Sequence, residues 1–113
     1  TPTFIDDAER VAWIVTEFDR RTAAMPGIKR SDVLRDVMLR AFGLSLSELA
    51  SRSRKAKLSE RRQQFACLMR LLTNTSYEKI GVMIDRDHAT VMPAVRKHRD
   101  QFERLIAIAR ASR

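Results

Sequence analysis

The sequence predicts an all-α fold of about six helices. Apolar residues recur along its 113 positions at steps of three and four, the spacing of one helical face, and no β-branched run alternates with period two. Residues that start and stop helices fall between those runs. Three glycines and three prolines supply too little punctuation for a loop-rich protein.

The first helix is expected from Asp6 or Asp7 to about Ala24. Ala8, Val11, Val15 and Phe18 form its stripe, and Trp13 and Ile14 widen it. Acidic residues at its start suit the positive end of the helix dipole, and Met25-Pro26-Gly27 stops it. A second helix opens near Ser31 with Leu34, Val37, Met38, Ala41 and Phe42 on one face, and Gly43 stands where a C-terminal cap belongs. Ser45-Leu46-Ser47-Glu48 spells a capping box, with Leu44 and Leu49 as a hydrophobic staple around it. A short helix therefore starts at Leu46 and dies near Ser51. Ser51 to Ser59, carrying Arg52, Arg54, Lys55 and Lys57, reads as an exposed basic loop.

A longer helix from about Ser59 to Leu72 buries Phe65, Leu68, Met69 and Leu72, with Arg61, Arg62 and Arg70 on its opposite faces. Thr73-Asn74-Thr75-Ser76 is a run of cap formers and marks a turn. A helix of about two turns follows from Tyr77 to Ile84. Asp85-Arg86-Asp87 makes a tight turn with Asp87 as N-cap, and the last helix runs from His88 towards Ala111. Its stripe is Val91, Val95, His98, Phe102, Leu105 and Ala109, and Pro93 is expected to bend it. The stripe from Val95 to Ala109 serves either as core against the first helix or as the seam of a homodimer formed through the N- and C-terminal helices. Residues 1–30 are expected as an added N-terminal helix, and 31–113 as the main domain with an extended C-terminal helix.

Composition narrows the function. The net charge is +8. Residues 1–50 carry seven Lys/Arg against eight Asp/Glu, while 51–113 carry fifteen against six, so the basic excess lies wholly in the second half. A polyanion contacted by that half is the expected partner. No apolar stretch is long enough for a membrane span, and Thr1-Pro2-Thr3-Phe4 does not open like a signal peptide. The single cysteine, Cys67, excludes an intrachain disulfide and suits the cytoplasm. It reads as a small buried hydrophobe. Two histidines and one cysteine lack metal-ligand spacing, so no metal and no cofactor are expected. Glu78, Asp85 and Asp87 have no nucleophile–base pattern beside them and do not read as a catalytic set.

Ser76 to Lys97 has the grammar of a helix-turn-helix. A helix that enters a major groove needs polar side chains on its first turn, which His88 and Thr90 supply around the small Ala89. Its inner face must be apolar, and Ile80, Met83, Val91 and Val95 fit. Arg54, Arg62, Arg70, Lys79 and Arg86 are placed to neutralise phosphates.

These residues resemble a known family, the C-terminal DNA-binding domain of the bacterial replication initiator DnaA. Arg86-Asp87-His88-Ala89-Thr90-Val91, then Ala94 and Arg96-Lys97, resembles that family's R-D-H-T-T-V run and its downstream A-x-R-K. Upstream, Leu72-Thr73-Asn74 with Ser76, Ile80-Gly81, Arg62-Gln63, the basic stretch Ser51 to Lys57, and Phe42-Gly43-Leu44-Ser45 with Glu48-Leu49 follow the family's order. The resemblance covers roughly Val33 to His98. It implies a Trp-repressor-like helix-turn-helix and double-stranded DNA as partner. It implies base contacts from Asp87, His88 and Ala89 in the major groove and from Arg54 in the adjacent minor groove. Backbone contacts would come from Arg62, Gln63, Arg70, Lys79, Arg86 and Thr90, joined by Lys55 and Lys57 of the basic stretch.

The sequence departs from the family in several places. Ala89 replaces a threonine, the turn between Gly81 and Arg86 is one residue shorter, and Pro93 replaces a helix-friendly residue. No G-x-x-x-x-G-K-[ST] loop is present, and residues 1–30 do not resemble the initiator's ATPase module, so nucleotide binding is not expected. The chain begins on Thr1, as a trimmed chain does, yet its first helix reads as native to a free-standing domain. The expected role is sequence-specific DNA binding at DnaA-box-like sites in a cytoplasmic, nucleoid-associated protein that regulates transcription or modulates replication. It is not expected to be an enzyme. The alternative is a helical protein-interaction module, an adaptor or anti-initiator that binds no specific DNA. Single-stranded RNA binding fits less well, because the basic half offers only Phe65, Tyr77 and Phe102 for base stacking.

Overall fold

The computed structural model describes residues 2–112, and among these it contains six helices and no strand. They are α1 (Asp7–Ala24), α2 (Arg30–Phe42), α3 (Leu46–Leu49), α4 (Ala56–Thr73), α5 (Tyr77–Ile84) and α6 (His88–Ala111). The start of each well-signalled helix is fixed by its cap. Asp6 accepts from the Glu9 amide, Ser76 from Lys79 and Asp87 from Ala89. At α3 the capping box forms in full, Ser45 and Glu48 each satisfying the other's backbone amide. Gly43 ends α2 at φ 67, a left-handed conformation that glycine takes without steric cost.

α4 begins at Ala56, earlier than the expected Ser59, on Lys55, which makes no side-chain cap bond. Lys57 therefore stands on the first turn of a helix and not in a loop. The core gathers Phe18, Leu34, Met38, Leu49, Phe65, Leu68, Met69, Ile80 and Phe102, all fully buried. α4 and α6 pack along each other at its centre, and α1 closes it from outside against α2 and α6. Burying side chains of this size contributes about 1.5–3 kcal/mol each before the entropy cost.

The seam of α6 is covered within the chain. Val95, Phe102, Ile106 and Ala109 are buried, with α1 packed against that helix, and Arg110 near its end donates to both carboxylate oxygens of Asp19 at 3.1 and 3.2 Å. Ile106 replaces Leu105 as the deeper residue of that turn, Leu105 being half-buried. Ala8, expected on the apolar stripe of α1, is exposed, while its neighbour Asp7 turns inward to Arg61 and Gln64 of α4. α6 runs on through Pro93, which lacks the amide that would bond one turn back.

The largest corrections concern Arg61 and Arg62. The sequence reading puts both on an outward face, but they are 5% and 6% exposed. Arg61 reaches Gln64 at 2.6 Å and Asp7 of α1 at 3.4 Å, over the ring of Phe42. These contacts tie α1 to α4.

Candidate nucleic-acid interface

α5 and α6 form the helix-turn-helix, and glycine sets the closeness of its turn. Gly81 is buried, its carbonyl accepts from the Arg86 amide at 2.8 Å, and the Arg86 carbonyl occupies the place a Cβ would take. The shortened turn is closed by Asp85 at φ 53, a conformation aspartate tolerates better than most side chains. Its carboxylate pairs with Arg52 at 3.2 Å, both exposed. Ile80, Val91 and Val95 are buried and Met83 half-buried, so the inner face is apolar as expected.

The outer face of the first turn of α6 is open. His88, Ala89 and Thr90 are exposed, and Asp87 Oδ1 accepts from the Ala89 amide at 2.8 Å while lying 3.4 Å from His88 Nδ1. The cap thus starts the helix and sets a carboxylate beside the imidazole. Val82, on the outer face of α5, is 83% exposed and shares a shallow cleft with Arg52, Asp85, Asp87 and His88. Sequence reasoning missed it, since an apolar residue in a short helix reads as core.

The expected cations, with Gln63, separate into two groups. Arg54, Lys55, Lys57 and Lys79 are exposed and make no ion pair among the described residues. Arg70, Arg86 and Gln63 are half-buried and already engaged. Arg70 donates to the Thr75 carbonyl at 3.1 Å and lies over the Tyr77 ring, holding the turn between α4 and α5. Arg86 donates to the carbonyls of Ile84, Asp85 and Ser51. Gln63 Oε1 lies 2.9 Å from His98 Nε2.

Arg62 departs furthest from expectation. It is turned inward, donating to the carbonyls of Leu49, Ser51 and Ser53 at 2.6, 2.9 and 2.8 Å. Burial and the neighbouring Arg86 hold its pKa below the usual arginine value.

A cleft between the start of α4 and the exposed side of α6 links these parts. It is lined by Ser59, Gln63, Arg86, Thr90, Pro93 and Lys97, among others. Lys97 is exposed on the same face as Thr90 and Ala94, a spacing of four and three that the sequence displays. It is a cation the site expectation left out. His98, half-buried, stacks on Phe102, and burial, then Lys97, lower its pKa. Cys67 is buried with its thiol 3.7 Å from the Val95 carbonyl, and burial pushes its pKa up to about 12, so it behaves as an inert hydrophobe. No described helix is long and apolar enough to cross a membrane.

The sequence that builds this arrangement resembles those of known proteins. The family described as the bacterial dnaA protein helix-turn-helix matches residues 31–97. The chain is 38% identical over 74 residues to the chromosomal replication initiator protein DnaA of Desulfotalea psychrophila, a match covering 66% of this chain and 15% of that protein. It is 38% identical over 68 residues to the DnaA of a Synechococcus strain and 35% over 65 residues to that of Tropheryma whipplei, covering 59% and 58% of this chain. The matched stretch thus spans only about 15% of the length of these relatives. No solved structure matches the chain. With the family match running from Ser31 to Lys97 across α2 to α6, this chain belongs to the bacterial DnaA helix-turn-helix family of DNA-binding domains.

Proposed function

We propose that the domain reads a short duplex site akin to a DnaA box, as a regulator of transcription or a modulator of replication that competes for initiator sites. The observation that carries this reading is the open first turn of α6, with His88 and Thr90 exposed beside the capping Asp87. In this reading that turn enters the major groove. Asp87, His88 and Ala89 meet base edges, where a carboxylate accepts from an amino group, an imidazole bonds a ring nitrogen or oxygen, and a methyl touches thymine. Arg54 enters the adjacent minor groove. Lys55, Lys57, Lys79 and Thr90 meet phosphates, with Gln63, Arg70 and Arg86 at the edge of the contact. Phosphate contacts supply most of the affinity, and the base contacts supply the choice of site.

Selection of bound duplexes from a random pool tests this directly. One short sequence should emerge and bind at least about a thousandfold tighter than random DNA, with affinity falling steeply as salt rises. Equal affinity for every duplex would remove the specific-reader claim.

A further inference from the structure

The basic segment between α3 and α4 has no regular structure of its own, yet its backbone is firmly held. Arg62 donates to two of its carbonyls, those of Ser51 and Ser53, and to the Leu49 carbonyl at the end of α3. The Ser51 carbonyl also accepts from Arg86 at 2.8 Å, so one oxygen joins the loop to α4 and to the turn before α6. No carboxylate stands within ion-pair distance of Arg62 or Arg86 among the described residues. Two guanidinium groups are thus held by backbone oxygens alone. Only arginine offers a rigid fork of five donors that can reach several carbonyls at once.

The bonding alternates along the chain. Carbonyls 49, 51 and 53 turn inward to Arg62, Ser51 and Ser53 are half-buried, and Arg52 and Arg54 are exposed. Arg62 thus holds the Ser51 and Ser53 carbonyls on the inside while the flanking Arg52 and Arg54 side chains are exposed.

We propose that Arg62 is a positioning residue. It sets the reach of Arg54 and, with Arg86 on the shared Ser51 carbonyl, fixes the basic segment and the tip of α6 as one rigid unit. Two grooves are then engaged in fixed register, and Arg62 itself does not touch DNA. This rests on the DNA-reading function above.

The test is a double-mutant cycle on the duplex selected from the random pool, using R54A, R62K and the double variant, with affinity measured across salt. R62K keeps the charge but loses the fork. The expected result is that R62K loses about as much affinity as R54A, of the order of tenfold, and that the double variant is no weaker than R54A alone. R62K and R54A should also lower the slope of log affinity against log salt equally. Losses that multiply, or an R62K chain that binds like the parent, overturn the proposal. Amide hydrogen exchange without DNA gives an independent reading. R62K should raise exchange across residues 50–55, while α5 and α6 stay protected. Unchanged exchange there overturns the positioning role even if the selection finds no site. A failed selection with raised exchange instead overturns the DNA-reading function, and with it the proposed link to Arg54.

Discussion

The carbonyl oxygen of Arg86 sits where a side chain on Gly81 would begin, while the Arg86 amide donates to the Gly81 carbonyl at 2.8 Å. This backbone contact closes the turn between α5 and α6, beside the buried side chains of Ile80, Ile84, Val91 and Val95.

The contact gives Gly81→Ala an unusual sign. In an ordinary helix the change stabilises by up to about 1 kcal/mol. Here the new methyl meets backbone that cannot turn aside, so the variant should lose about 1–3 kcal/mol. Thermal unfolding checks it, at about 4–8 °C per kcal/mol for a domain near this size. A rise in melting temperature contradicts the geometry.

Asp87 separates fold from recognition. Asp87→Ala removes the cap on α6 and should cost about 0.5–2 kcal/mol. Asp87→Asn keeps an acceptor for the Ala89 amide and should hold stability within a few tenths of a kcal/mol, since asparagine caps about as well. It removes the carboxylate from the exposed tip, so the preferred sequence should change while the melting temperature does not. If neither substitution alters site preference, Asp87 acts as a cap alone.

His88 is exposed, and among the described residues its polar contact is with its neighbour Asp87. Its replacement by alanine should leave stability near that of the parent. Affinity for the selected site should fall by about 1–3 kcal/mol with non-specific binding spared. Equal losses on specific and random duplexes mean the imidazole reads no base.

His98 makes stability depend on pH. Burial, then Lys97, lower its folded pKa below the ordinary 6.5, outweighing the opposing pull of Glu60 and Asp7. The unfolded chain binds the proton more readily, so stability falls as pH drops from 6.5 towards the lowered folded value. Glu17 is lowered from 4.5, chiefly by its bond to Arg20, and its contribution is lost only in more acid solution. Melting temperature followed from about pH 7.5 to about pH 5.5 should therefore decline, and His98→Gln should flatten the decline. An undiminished slope in that variant assigns the effect elsewhere.

What the sequence made legible was mostly local. Ser45 and Asp87 announce their helices because capping is a matter of three or four neighbouring residues, and both do cap. The helix-turn-helix and its open tip were readable for the same reason. The start of α4 was not, because Lys55 caps with no side chain and leaves no mark. The burial of Arg61 and Arg62 was equally hidden. A charged residue reads as solvated until its partners are known, and theirs include Asp7 of α1, Leu49 of α3 and the loop after it. The family motif could suggest where Arg62 belongs in the chain, but the direction of its guanidinium depends on carbonyls that no motif encodes.

The apolar stripe of α6 already lies under α1 of the same molecule, with Arg110 and Asp19 clasped near its end. A second copy would find that stripe occupied. Where the domain meets a duplex singly there is no mirror half to match, and the sequence preferred is expected to be non-palindromic. Such a site has polarity: it tells the bound protein which way to face along the duplex, and flipping the site turns the protein around.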